Sequence, residues 1–255
     1  MLIDTHCHLD AAEFDADRDG VVARSRAAGV GRIIIPAVEQ ANFNAVLQTC
    51  IRYPECSPAL GMHPMYIGMH RPEHLQALRV AIKQYKPVAV GEIGLDFFVP
   101  DIDPVAQEFY FVEQLKIAKE FDLPVLLHIR KANDQVLKQL RRYKLKGGIA
   151  HAFNGSPQQA DEFIKLDFKL GFGGAMTYPR ALNLRRLAAD LPLEAIVLET
   201  DAPDIPPLFA HKQRNSPEYL AQIAAVLAEL RGLSLQQVVE ATSINAAKIL
   251  GLGGV

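Results

Sequence analysis

A chain of 255 residues with 49% hydrophobic and 22% charged residues has the make-up of an ordinary globular protein, sized for one α/β barrel or two small domains. Its net charge of −2 excludes the basic surplus with which a protein grips duplex DNA along many phosphates. Three cysteines make no disulfide framework, no apolar run approaches the roughly 20 residues of a membrane span, and the N-terminus lacks a basic-then-apolar secretory pattern. A reduced, cytoplasmic protein with no membrane attachment is expected.

Eight short apolar runs read as strands, beginning at Leu2, Arg32, Pro58, Pro87, Pro124, Gly147, Phe168 and Ala195. Most are near-continuously hydrophobic, as strands buried on both faces of a parallel sheet are. The segments between them carry helical periodicity and start signals. Asp103-Pro104 opens one helix, in which Phe109, Val112, Leu115 and Ala118 recur every three residues. Ser156-Pro157-Gln158-Gln159 supplies an N-cap, a first-turn proline and a capping-box glutamine. Ser216-Pro217, and then Ser234 with Gln237, start the last two helices. Successive strand starts lie 21 to 37 residues apart, room for a strand, a helix and two loops. That is the unit of a right-handed βαβ repeat. Eight units predict a single-domain TIM (β/α)8 barrel over residues 1–255, with a doubly wound open sheet as the alternative that strand counting leaves open.

Polar residues stand where the apolar runs end. His6 and His8 follow the first run two positions apart, a spacing that in an extended chain turns both imidazoles to one face. His63 follows the third run, Glu92 the fourth, His128 the fifth, His151 the sixth and Asp201 the eighth. In a barrel all these ends open on one face, where active sites are built. Four imidazoles (His6, His8, His128, His151) and two carboxylates (Glu92, Asp201) are too many ligands for one tetrahedral zinc. They suit two divalent ions, roughly 3.5–4 Å apart, that share a carboxylate and activate a water. Metal-assisted hydrolysis is the chemistry to expect.

The segments THCHLD, GMHP, VGEIGLD, LLHIR, HAFNGS and LETDAP, in this order, resemble the TatD family of metal-dependent deoxyribonucleases, within the amidohydrolase-like barrel superfamily. Arg214-Asn215-Ser216-Pro217 resembles that family's C-terminal signature. The resemblance implies two divalent metal ions (Mg, Mn or Zn) and a DNA substrate, single-stranded and attacked at its 3′ end. It implies His6, His8 and Asp201 on one metal, His128 and His151 on the other, and Glu92 bridging. It also implies that Asp201 orients or deprotonates the attacking water, with His63 at the substrate phosphate or leaving group. Arg130, whose planar fork matches phosphate oxygens, is a candidate clamp. Two departures stand out: many members read HSR where this chain has His128-Ile129-Arg130, and HCF where it has His151-Ala152-Phe153. These leave the ligands intact and bear on substrate choice.

Other residues read more plainly. Asp4 is expected as a structural hydrogen-bond acceptor. His70 and His74 have a helical ligand spacing but straddle Pro72, at a helix start. His211 is expected in solvent, and the basic run from Lys131 to Lys146 on a helix exterior. Phe97, Phe98, Phe153 and Tyr178 are candidate base-stacking rings, each more often a packing residue than a platform. The competing functions are hydrolysis of a small amide, lactone or phosphoester, and non-catalytic metal binding. No obligate protein partner is inferred.

Overall fold

The computed structural model describes residues 1–253. Strand and helix alternate along the chain. They run β1 (Leu2–Asp4), α1 (Arg18–Ala27), β2 (Val30–Pro36), α2 (Phe43–Arg52), β3 (Cys56–Leu60), α3 (Pro72–Tyr85), β4 (Ala89–Asp96) and α4 (Pro104–Glu120). The second half adds β5 (Val125–Arg130), α5 (Asn133–Tyr143), β6 (Gly148–Ala150), α6 (Pro157–Lys165), β7 (Phe168–Phe172), α7 (Leu182–Asp190), β8 (Ile196–Leu198), α8 (Leu220–Arg231) and α9 (Leu235–Leu250). The eight strands pair in parallel and in sequence order. The seam between β8 and β1 is stitched by Thr5, whose N–H and hydroxyl both donate to Leu198 O at 3.1 and 3.0 Å. Thr200 completes it by donating to the Asp4 carboxylate from its N–H (2.9 Å) and hydroxyl (2.6 Å). The sheet is therefore a barrel, and the open doubly wound alternative falls.

The helix starts read from the sequence are present. The Asp103 carboxylate accepts from the N–H groups of Val105 and Ala106 at 2.9 and 3.3 Å, and Ser156–Gln159 and Ser234–Gln237 form capping boxes. Ser216-Pro217 opens a 3-10 turn first, and α8 begins only at Leu220. Among the described residues no helix is long and apolar enough to cross a membrane.

Side-chain parity along the strands explains where the polar residues point. Ile33 and Ile35, Val125 and Leu127, and Ile196 and Leu198 pack outward under the helices. Ile3, Ile34, Ala59, Ala89, Leu126, Ile149 and Val197, one from each of seven strands, form a separate cluster with Ala246, Ala247 and Leu250 of α9. Side chains from seven strands can meet only inside the barrel, so α9 closes its N-terminal end. Burying each large aliphatic there contributes roughly 1.5–3 kcal/mol relative to exposure.

Two residues beyond Leu126 on the same face comes His128, two beyond Ile149 comes His151, and two and four beyond Val197 come Glu199 and Asp201. Continuing that parity along β4 from Ala89 would aim Glu92 outward. The β4–β5 register shifts between Val90 and Ile93, an irregularity that puts Ile93 and Leu95 under the helices and frees Glu92 and Asp96 to face inward. β1 ends at Asp4, so His6 and His8 lie in the segment just past it rather than within the strand. Asp4 accepts the His6 N–H at 3.3 Å and fixes that segment, which is the structural role expected of it.

Candidate metal centre at the barrel mouth

The six residues singled out at the strand ends converge on one site. His6 Nε2 lies 3.3 Å from His8 Nε2 and 3.1 Å from Glu92 Oε2. Asp201 Oδ1 is 3.8 Å from Nε2 of both His6 and His8 and 3.6 Å from His151 Nε2. On the other side, Glu92 Oε1 is 3.1 Å from His128 Nδ1 and 3.3 Å from His63 Nε2. Glu92 thus turns one oxygen to the His6–His8 side and the other to the His63–His128 side. The triplets His6–His8–Asp201, His6–Glu92–His151 and His63–Glu92–His128 each bring their donor atoms within 4.8 Å of one another. His151 stacks on His6 with ring centroids 3.6 Å apart, so it sits nearer the first histidine pair than its expected partner His128 does.

The donor set fits divalent cations. Nitrogen faces nitrogen across the cage, and carboxylate oxygens converge with imidazole lone pairs in a buried space that, among the described residues, no lysine or arginine pairs into. That arrangement suits ions which accept lone pairs from N and O donors.

Electrostatics within the cage are strongly graded. Burial would raise the Glu92 carboxyl, but His63, His6 and His128 around it hold it well below the usual carboxylate range. Burial, then neighbouring His151, drives His6 down to about 3. His151 runs the other way: burial opposes its charge, yet Glu199 and Asp201 raise it to about 10. Two imidazoles stacked this closely do not both carry a proton, and the carboxylates favour His151. Burial raises Asp201 to about 6 despite His151 and His8. Asp201 also adopts φ +59°, a left-handed conformation uncommon outside glycine, asparagine and aspartate.

His63 accepts the Met65 N–H on Nδ1 at 3.1 Å. A neutral ring so held carries its proton on Nε2, which makes it a donor toward Glu92 rather than a lone pair for a metal. Arg130 ends β5 at the rim, exposed, its guanidinium 3.7 Å above the Phe98 ring, and touches no cage residue. His70 is buried with Nε2 2.9 Å from His63 O, while His74 caps the start of α3; neither joins the site. Tyr178 and His211 bond to each other across two loops, Oη to Nδ1 at 3.1 Å. Phe153 is core. Asn215, from the C-terminal signature, donates to Thr200 O (2.7 Å), Asp204 O (2.7 Å) and Ile205 O (3.1 Å) and so holds the loop after β8.

Two buried carboxylates escaped the sequence reading. Asp96 Oδ2 lies 2.9 Å from His128 Nε2, and Glu199 Oε1 lies 3.0 Å from His151 Nδ1. Each leaves the opposite ring nitrogen facing the cage, the arrangement by which a carboxylate fixes the tautomer of a ligating histidine. A Cβ on Gly171 would collide with the Glu199 carboxylate, so glycine at that position makes the space. The signal was available. Asp96 is four residues after Glu92 on the same face of β4, and Glu199 stands two before Asp201 just past β8, so each lies at even spacing from a candidate ligand.

The cage floors an open cleft of about 1370 Å³ bordered by Tyr66, Phe98, Arg130, Asn154 and Asp204 among others. Comparison with known proteins agrees with this geometry. The profile of the family described as "TatD related DNase" matches residues 3–251. The chain is 44% identical over 246 residues to the uncharacterized metal-dependent hydrolase YjjV of Escherichia coli, covering 95% of each chain. It is 34% identical over 259 residues to the Citrobacter rodentium protein named 3′-5′ ssDNA/RNA exonuclease TatD, covering 98% of each. The crystal structure of YjjV superposes with a TM-score of 0.94 at 43% identity, over 97% of both chains. With family motifs, barrel and mouth all in agreement, the chain belongs to the TatD-related DNase family of metal-dependent hydrolases.

Proposed function

We propose that this protein is a one-domain nuclease that uses two divalent ions to hydrolyse the phosphodiester bonds of single-stranded DNA from a 3′ end. The observation that carries the reading is Glu92, whose two oxygens face two different sets of imidazoles at the floor of one open cleft. His6, His8 and Asp201 would hold one ion, His128 and His151 the other, with Glu92 between them. Bound there, the ions would polarise the phosphodiester and lower the pKa of a water.

The chain's own groups do the rest. Asp201 orients the attacking water and takes its proton on a carboxylate oxygen, a role suited to a carboxylate that lies within the cage. His63 donates a hydrogen bond from Nε2 to a phosphate oxygen or to the oxygen of the leaving group. Asp96 and Glu199 keep the rings of His128 and His151 turned into the cage. Arg130 offers a planar cation at the rim for a neighbouring phosphate.

A cleft of about 1370 Å³ exceeds the roughly 300–1,000 Å³ usual for small-molecule sites, which favours a polymer end over a small amide or lactone. The net charge of −2 suits a grip on few nucleotides. The exonuclease name of the 34%-identical relative points to the same substrate class. Three free cysteines suit a reducing cytoplasm. The test is to assay wild type and Asp201→Asn with Mg²⁺, Mn²⁺ and Zn²⁺ on 3′- and 5′-labelled single-stranded DNA, beside a panel of amides, lactones and phosphoesters. Stepwise shortening from the 3′ end, lost in the variant, is expected. Intact DNA under every metal, with turnover of a small ester or amide, would refute the reading.

A further inference from the structure

The cleft over the cage is charged unequally on its two sides. Among the described residues its only lysine and arginine lining residues are Arg130 and Lys131, which follow β5 on one side and gather over a single aromatic ring. Arg130 Cζ is 3.7 Å and Lys131 Nζ 4.8 Å from the centre of Phe98. Neither cation has a carboxylate partner among the described residues, in contrast to Arg18, Arg24, Arg26, Arg52 and Arg214, which are all ion-paired. The wall continues past them with uncharged amides, Asn133, Asn154 and Asn183.

Opposite, the wall built from the loops after β1, β3 and β8 carries carboxylates that, among the described residues, form no ion pair with a lysine or arginine side chain. Asp10, Glu13 and Asp204 line it, and Tyr66 stands among them. Partial burial raises the Tyr66 phenol, and Glu39, Asp204, Glu92 and Glu13 raise it further, an independent sign that the acids gather on this side. The two arginines behind this wall are already paired: Arg18 with Asp15 at 2.7 Å, and Arg214 with Asp17 at 2.8 Å from two of its nitrogens.

We infer that this charge asymmetry makes the site selective for a strand end: the polynucleotide lies across Phe98, Arg130 and Lys131, while Asp10, Glu13 and Asp204 bar a further phosphate from continuing past the cage. The inference rests on the nuclease reading and adds the direction in which the strand lies. A phosphodiester chain carries one negative charge per nucleotide. An internal segment threaded through the cleft would set charges against both walls, one favourable and one repulsive. A terminal nucleotide meets the acidic wall with its sugar and base alone. A cleft of about 1370 Å³ sets its walls apart by a distance on the order of the Debye length, about 8 Å at physiological salt, so screening weakens this selection without removing it. Phe98 is 48% exposed, enough for a base or sugar to rest beside the two cations it carries.

The test compares linear 3′-labelled single-stranded DNA with a covalently closed circle of the same sequence, using bis(p-nitrophenyl) phosphate as a diester without strand continuity. Wild type degrades the linear strand and leaves the circle intact. Neutralising the wall with Glu13→Gln and Asp204→Asn together raises the rate of nicking circles by about tenfold or more, as expected when a like-charge contact is relieved. Hydrolysis of the small diester by that variant stays at the wild-type level, which also shows that it is folded. Arg130→Ala raises KM for the linear strand and flattens the slope of log KM against log salt by about one, the signature of one lost phosphate contact. Its thermal midpoint controls for folding. Wild type that nicks circles as readily as it shortens linear strands would overturn the inference, as would a neutralised wall still blind to circles or an unchanged salt slope in Arg130→Ala. DNA untouched in either form would defeat the nuclease reading itself, and this inference with it.

Discussion

The two ends of the barrel are built from the same strands and filled with opposite chemistry. At the closed end, Ile3, Ile34, Leu126, Ile149 and Val197 meet α9 in a cluster of apolar side chains. Two residues further along the same faces stand His151 and Glu199, buried, and His128, partly buried, all bearing lone pairs or charge. The closed end is a hydrophobic core that stabilises the fold. The mouth buries carboxylates and imidazoles that desolvation disfavours, an arrangement kept for function at a cost in stability. Substitutions at the two ends should therefore separate stability from turnover.

The largest separation is expected at Glu92. Glu92→Gln removes the group that faces both halves of the cage and should lower DNA hydrolysis by about 10²–10⁴-fold, the range for loss of a central catalytic group. Its thermal midpoint in the absence of added metal should fall little. A matching collapse in stability would mean that Glu92 is structural.

Ile149→Ala is the reciprocal change at the closed end. It should cost about 2–5 kcal/mol in denaturant unfolding, while kcat per folded molecule is kept. A large fall in kcat with stability intact would break the division between the two ends.

These two sites also show what the sequence made legible. Leu126 and Ile149 lie in near-continuous apolar runs, and the ligand candidates stand at the ends of such runs, so barrel, mouth and cage composition all followed from counting and parity. The inward turn of Glu92 did not, because it depends on a register shift between β4 and β5, a relation between two strands that neither encodes alone. Asp96 and Glu199 carried only a spacing signal, because a carboxylate one step behind a ligand otherwise looks the same in sequence as a loop acid. The charge asymmetry of the cleft was invisible too, since Glu13, Tyr66 and Asp204 come from three separate loops.

Glu199→Gln sharpens the account of the mouth. It keeps the shape and removes the charge behind His151, and it should weaken metal binding by about 10–100-fold in equilibrium dialysis. Unchanged affinity would reduce Glu199 to a packing residue.

The last contrast is a pH slope. Burial raises Asp4 from 3.8 to about 7, so the folded chain holds this proton where the unfolded chain has released it. The stability it contributes is complete below about 3.8 and is lost as pH rises through about 7. Asp4→Asn should therefore lack a decline of at most about 1.4 kcal/mol per pH unit that wild type shows between those values. Parallel urea midpoints for the two proteins across that window would remove Asp4 from the account.

The central claim is a pair of cations held around Glu92 at the mouth. Its most direct test is a Mn²⁺ titration of the metal-free protein, with bound metal counted by equilibrium dialysis beside 3′-end shortening of single-stranded DNA. The account predicts two ions per chain in wild type, shortening that appears as the second site fills, and loss of both the stoichiometry and the activity in Glu92→Gln. A single bound ion that supports full activity, or shortening that survives chelation, would contradict it.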